Sequence, residues 1–196
     1  TECIGENTGI EMGAEKIRCY MADARTHKRT YIIEMMGASS GFHAIHSCLG
    51  SRAHLAVLPN SVIDHKKVVE ALNQKNDCVI VVAEGYKEKE RKKAGIKDNA
   101  AEYFYKELLE TGIKIKRKVV CEPFSRDIRG AGANNQDITL AQRMAYKIAE
   151  YLKAGTSRLM PAVSSGREYA IPFNEIHTDN LVEADLLALS NRLTKG

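Results

Sequence analysis

Several features that would narrow the reading at once are missing from these 196 residues. No stretch approaches 18 consecutive apolar residues, so no spanning helix is expected. Four prolines and fourteen glycines are spread along the chain without a low-complexity run, and disorder is not the default. No cysteine pair has CxxC spacing. Cys3, Cys19, Cys48, Cys78 and Cys121 are odd in number and far apart, which suits reduced, buried thiols in a cytosolic protein and gives a catalytic cysteine little support. No internal repeat is visible. The start shows no signal peptide, so the expected location is cytoplasmic. It also opens at Thr1 rather than methionine, from which processing or membership of a longer chain is expected.

The charge is only mildly one-sided. Twenty-nine basic and 25 acidic side chains give +4, and most are intermixed, which permits an anionic substrate without requiring nucleic acid. The run Lys87 to Lys93, KEKERKK, has no interleaved aromatics and reads as a solvated loop or helix face. With 44% hydrophobic residues the chain has enough for one substantial core or two small ones.

The stretch Arg29 to Phe42, RTYIIEMMGASSGF, organises the rest. Thr30 to Ile33 is a short apolar, β-branched run followed by Gly37 and Gly41, as in a buried strand entering a loop. Ser39, Ser40 and Gly41 fall where a helix would begin, so the turn suits a small oxyanion or phosphate ester, or is purely structural. MGASSG matches neither GxGxxG nor GxxxxGKS, which argues against a nucleotide site.

Around it, helices are expected over Thr8–Ala24, Phe42–Leu49, Asp64–Gln74, Lys97–Glu110, Asp137–Leu152 and Leu181–Leu193. Gly13 weakens the first of these, since glycine costs a helix interior about 1 kcal/mol relative to alanine. Strands are expected at His54–Leu58, Cys78–Ala83, Ile113–Val120, Ser157–Val163 and Glu168–Ile171, the third with Lys114, Lys116 and Lys118 on an exposed face. CVIVVA at 78–83 is continuously apolar, as in a parallel strand covered on both sides. Alternating strands and helices give an α/β class with a mostly parallel sheet. A boundary between lobes is expected near Pro123 to Asn135.

Glu84 follows the 78–83 strand, where open α/β sheets place ligand contacts; a helix cap or salt bridge is the structural alternative. Arg126 and Arg129, three apart before two glycines, suit phosphate or carboxylate oxygens. His43 and His46 lack a third ligand by spacing and read as hydrogen-bonded structural residues.

Taken together, these segments resemble the C-terminal part of a 6-phosphofructokinase over nearly the whole length. TECIGENTGIE at 1–11 is similar to the helix start that follows the family's TIDND loop. Arg29 to Gly41 resembles its arginine, strand and MGR segment, here Met36, Gly37, Ala38. VVAEG at 81–85, the arginine and glycine stretch 126–132, and GREYAIPFNEI near the end resemble later family pieces in the same order. The resemblance implies a phosphofructokinase-like α/β fold with helices on both sheet faces. Residues 1–122 would form a sugar-phosphate lobe and 123–196 a segment completing the larger lobe.

It further implies that Arg29 reaches fructose 6-phosphate across a subunit interface, that Met36 and Gly37 lie against the sugar, that Glu84 accepts from its hydroxyls, and that Arg129 grips the 6-phosphate. Arg126 stands where the family has histidine, as a second phosphate-directed charge. Ala38 stands where it has an arginine that holds the transferring group, a loss expected to cost rate more than binding. The glycine-rich GGDG-type loop and the TIDND aspartates are absent from these residues. The chain as given is therefore expected to be inactive alone, and no catalytic or metal residue is assigned. The intact enzyme would use Mg2+ with ATP or pyrophosphate, in a dimer or tetramer. The partner supplying the rest would be an N-terminal half or another subunit; no nucleic acid and no membrane partner is expected. His54 occupies the place of an effector-site glutamate and Lys75 that of a basic effector contact, so allosteric control is a weak expectation. The alternative is a non-catalytic subunit or sugar-phosphate sensor.

Overall fold

The computed structural model describes residues 2–37, 40–124, 126–176, 182 and 184–194. Ala38, Ser39 and Leu181 lie outside these, and with them the MGR departure, part of the anion-seat turn and the expected start of the last helix. The chain forms two compact units, residues 1–9 with 131–180, and residues 10–130 with 181–196.

The larger unit is built on a four-stranded parallel sheet in the order β2-β3-β1-β4, with β1 Thr30–Met35, β2 Leu55–Val57, β3 Cys78–Ala83 and β4 Val119–Phe124. The two central strands are apolar because both of their faces are covered. Tyr31, Ile33, Met35, Val79, Val81 and Ala83 join a core with α1 (Glu6–His27) and α2 (Phe42–Ser51). Ile32, Cys78, Ile80 and Val82 point to the other core, with α3 (His65–Gln74) and α5 (Ala100–Glu110). All six residues of β3 are buried. The remaining elements of this unit are two short helices, α4 (Glu88–Lys93) and α6 (Arg126–Arg129), and, near the C-terminus, α8 (Ala184–Ser190). Lys87 to Lys93 is thus mostly helix rather than loop, with exposed lysines. No helix among the described residues is long and apolar enough to cross a membrane.

Two local expectations change. The helix over the first residues runs unbroken through Gly13, because that position needs no side chain: a Cβ there would lie 2.5 Å from Ser47 Oγ and 2.7 Å from Met35 Cε. Glycine is used here for close helix approach, which outweighs its propensity cost. The strand expected at Ile113–Val120 begins only at Val119. The preceding backbone is claimed by a side chain instead: Asn73 donates to Lys114 O and accepts from Lys116 N, both at 2.9 Å, while the Arg117 side chain ties the segment to α3 by donating to Leu72 O at 2.8 Å. Strand pairing starts where Val119 meets Thr30.

The smaller unit holds α7 (Asn135–Lys153) and an antiparallel hairpin of β5 (Leu159–Ser164) and β6 (Arg167–Pro172), followed by a 3-10 turn at Phe173–Glu175. Its polar centre is Asp137, 1% exposed. The carboxylate accepts from Gly5 N at 2.9 Å, Thr8 N at 2.7 Å and the Thr8 hydroxyl, while Asn134 caps α7 by accepting from Asp137 N at 3.0 Å. Asp137 thereby satisfies free amides at the start of α1, where an anion is favoured. Burial pushes its carboxyl up, but the Thr8 and Gly5 hydrogen bonds outweigh this and hold it below the usual aspartate range.

Gly13→Ala should lower stability by about 1 kcal/mol net, overpacking offsetting alanine's helix advantage; a rise in the urea midpoint would contradict the close approach. Asp137→Ala should cost about 2–3 kcal/mol at pH 7, from a lost cap and orphaned amides. Since the Asp137 pKa is depressed in the folded state, its contribution is present above about pH 4 and is lost as pH falls through the folded value. Urea titrations of both proteins should therefore converge in stability at low pH.

Candidate functional site

The sheet topology makes the crevice. β1 leads into α2 on one face, while β3, its neighbour, leads toward α5 on the other. Connections that part to opposite faces leave an opening at the carboxyl ends of the two strands, the usual ligand position in open α/β sheets. Register fixes what stands there. Met35 pairs with Ala83 on one side and Phe124 on the other, so Met36, Glu84 and the α6 turn follow at one level.

Five of the six anticipated binding residues, Met36, Gly37, Glu84, Arg126 and Arg129, therefore lie at this edge. Met36 is half-buried and its side chain packs on the α1/α2 core. Gly37 has φ 140°, and a Cβ would come 3.1 Å from His43 Nδ1, so the loop turns where a side chain would be strained and crowded. His46 stacks on Phe42, at 6.2 Å between centroids. Glu84 continues the ladder, its N–H donating to Met35 O at 2.9 Å. Arg126 and Arg129 are exposed on α6 and form neither an ion pair nor a side-chain hydrogen bond among the described residues.

Arg29 stands apart. It precedes β1, at the amino end of the sheet, with Nη1 4.0 Å from Asp23 Oδ2. Asp23 also accepts from the Tyr31 hydroxyl and lies 2.9 Å from His27 Nδ1. The Tyr31 hydroxyl bond, against some burial and with help from His27 and Arg29, holds the Asp23 carboxyl below the usual range.

Beside Glu84 is a cavity of about 470 Å³ whose lining includes Glu34, Glu88, Arg91, Lys97 and Asp98. Glu34 was not singled out from the sequence, although a lone acid inside TYIIEM is a visible signal. Burial pushes its carboxyl up, and Ala100 N at the start of α5 donates to it. Arg91, read from sequence as part of a solvated run, is instead spent on backbone: Nε donates to Tyr86 O at 3.0 Å, Nη1 to Asp98 O at 3.1 Å, and Nη2 to Glu84 O. No run of alternating charges could reveal which member turns inward.

A second cavity of about 330 Å³, near the starts of β2 and β3, is lined by Met21, Arg25, Arg52, His54, Lys75, Asp77 and Arg192. His54 accepts from Val79 N at 3.1 Å through Nδ1, so its ring is part of the strand connection, and burial lowers its pKa. Among the described residues no three His, Cys, Asp or Glu side chains converge as a metal site.

Comparison with known proteins gives this geometry a family. A model described as phosphofructokinase matches residues 1–152. The ATP-dependent 6-phosphofructokinase of Cytophaga hutchinsonii is 25% identical, over 97% of this chain and 56% of that protein. That of Thermotoga neapolitana is 26% identical, over 98% and 57%. The pyrophosphate–fructose 6-phosphate 1-phosphotransferase of Thermoproteus tenax is 26% identical, over 88% and 53%. The chain thus spans about half the length of the curated relatives it matches. In fold it is similar to Pichia pastoris phosphofructokinase, with a TM-score of 0.75 at 13% identity, over 98% of this chain and 25% of that one. A pyrophosphate-dependent phosphofructokinase from Nitrosospira multiformis aligns with a TM-score of 0.68 at 16% identity, over 87% and 47%. With the family model covering 152 of 196 residues and the parallel-sheet fold shared with solved members, the chain belongs to the phosphofructokinase family.

Proposed function

We propose that this chain forms the acceptor side of a 6-phosphofructokinase, binding fructose 6-phosphate so that its 1-hydroxyl can receive a phosphoryl group from ATP or pyrophosphate. The observation that carries the reading is the assembly of Met36, Gly37, Glu84, Arg126 and Arg129 at one carboxyl edge of a parallel sheet. Glu84 would accept from sugar hydroxyls, which suits an ionised carboxylate. Met36 and Gly37 would set the sugar's depth. The two α6 guanidiniums, exposed and without ion-pair partners among the described residues, would take the 6-phosphate, where a bidentate fork binds more firmly than a point charge. Their lack of partners favours a ligand role over a structural ion pair.

Arg29, at the opposite end of β1, would serve a neighbouring subunit's site, which makes an oligomer part of the proposal. Residues 1–122 would act as the sugar-phosphate lobe, with 123–196 completing the larger lobe. The five thiols are free, which fits work in the cytoplasm, although Cys3 and Cys19 are exposed rather than buried as expected. The donor would bring Mg2+, whose chemistry is to neutralise charge on the transferring phosphoryl group. The share proposed for this chain is to bind and orient the acceptor. Ala38, in place of an arginine, favours a second reading in which the protein senses sugar phosphate without transferring a phosphoryl group.

In the full native protein, Arg129→Ala should weaken fructose 6-phosphate binding by about 10- to 100-fold, the loss of a charge-assisted contact, while leaving the unfolding midpoint unchanged. Calorimetric titration decides it. Unchanged affinity would remove Arg129 from the site, and wild-type protein that ignores fructose 6-phosphate would remove both readings. If the wild type binds the sugar phosphate but shows no transfer with either donor, the sensor is favoured.

A further inference from the structure

Resting on the role given to Glu84 above, we infer that Glu107 is a positioning residue that holds the turn 84–87 so that Glu84 faces the sugar. Glu107 lies on α5 and is not among the residues lining the cavity beside Glu84, so it acts on a ligand there only through other groups. Its side chain is 12% exposed and is shared by the two residues that follow Glu84 and Gly85. One carboxylate oxygen accepts from Lys87 Nζ, and the other accepts from the Tyr86 hydroxyl at 2.9 Å.

The turn needs such a hold. Lys87 sits at φ 46°, ψ 35°, a left-handed conformation that side chains disfavour and glycine adopts freely. That conformation reverses the chain from β3 into α4, with Arg91 N donating to Lys87 O at 2.9 Å. Arg91 then reaches back to the carbonyls of Glu84 and Tyr86, fixing the turn's backbone. Glu107 fixes its side chains. The Tyr86 ring is buried, edge-on to Phe104 at 5.7 Å, and Lys87 Nζ lies 5.4 Å from the Tyr86 ring centre. His65, packed on Phe104, brings Nε2 to 3.5 Å from the same carboxylate, too long for a hydrogen bond. A buried carboxylate with a lysine, a phenol and an imidazole around it thus anchors the two residues that set the direction of Glu84.

The test uses the full native protein with Glu107→Gln, Lys87→Met, Lys87→Gly and the Glu107→Gln/Lys87→Gly double variant. Amide exchange at 84–88 and fructose 6-phosphate affinity are the readouts. Glu107→Gln should speed exchange in 84–88 and weaken the sugar phosphate, each about tenfold, with β1 and the interior of β3 unchanged. Lys87→Met, which breaks the ion pair from its more exposed end, should do the same if Glu107→Gln fails to fold. Adding Lys87→Gly should restore most of both, because glycine holds the left-handed turn without the pair. Folded Glu107→Gln with wild-type exchange and affinity, or a double variant no better than the single, overturns the inference. Wild-type protein that does not bind fructose 6-phosphate, yet shows the exchange change and its rescue, leaves Glu107 as the holder of the turn and removes the sugar-site reading instead.

Discussion

The pairing of β1 with β3 is the constraint on which the larger unit depends. Six consecutive residues on each strand pair in parallel, from Thr30 with Cys78 to Met35 with Ala83, and nearly all are buried. A parallel pair cannot be joined by a tight turn, so helices must cross over it, and each face needs its own apolar cover. Both cores follow from that requirement. So does the crevice, because the backbone amides and carbonyls left over at the carboxyl edge of these two strands must be satisfied by loops rather than by more strand. Glu84 N donating to Met35 O is the last rung before the chains part.

What stands above that rung is held by polar groups that are themselves occupied. Arg91 is spent on three carbonyls, Glu107 on the side chains of Tyr86 and Lys87, and Glu34 on the first amide of α5. These contacts sit in half-buried surroundings, where an unpaired charge is costly and a paired one fixes geometry. Arg126 and Arg129, by contrast, are exposed and form no ion pair among the described residues. In the smaller unit the buried Asp137 is likewise occupied, collecting the free amides at the start of α1.

The sequence by itself determined the strands and helices whose pattern is strong. CVIVVA could be little else than a strand covered on both faces, the helix expected over Asp64–Gln74 is found at His65–Gln74, and the order of the family-like segments pointed to the fold. Glu84, Arg126 and Arg129 were singled out from the residues themselves and Met36 and Gly37 from the family resemblance, and the fold brings all five to one carboxyl edge. Three things waited for the tertiary structure. The strand expected at Ile113–Val120 begins late because Asn73, 41 and 43 residues from Lys114 and Lys116, holds their backbone. Gly13 proved compatible with a long helix because Ser47 and Met35 occupy the space its side chain would need. Arg91 and Glu107 acquired their roles only when α4 and α5 folded back on the turn after β3. Periodicity and turn chemistry are local and can be read along the chain; which charged side chain is spent inward is fixed by what arrives beside it from elsewhere, and that only three-dimensional packing decides.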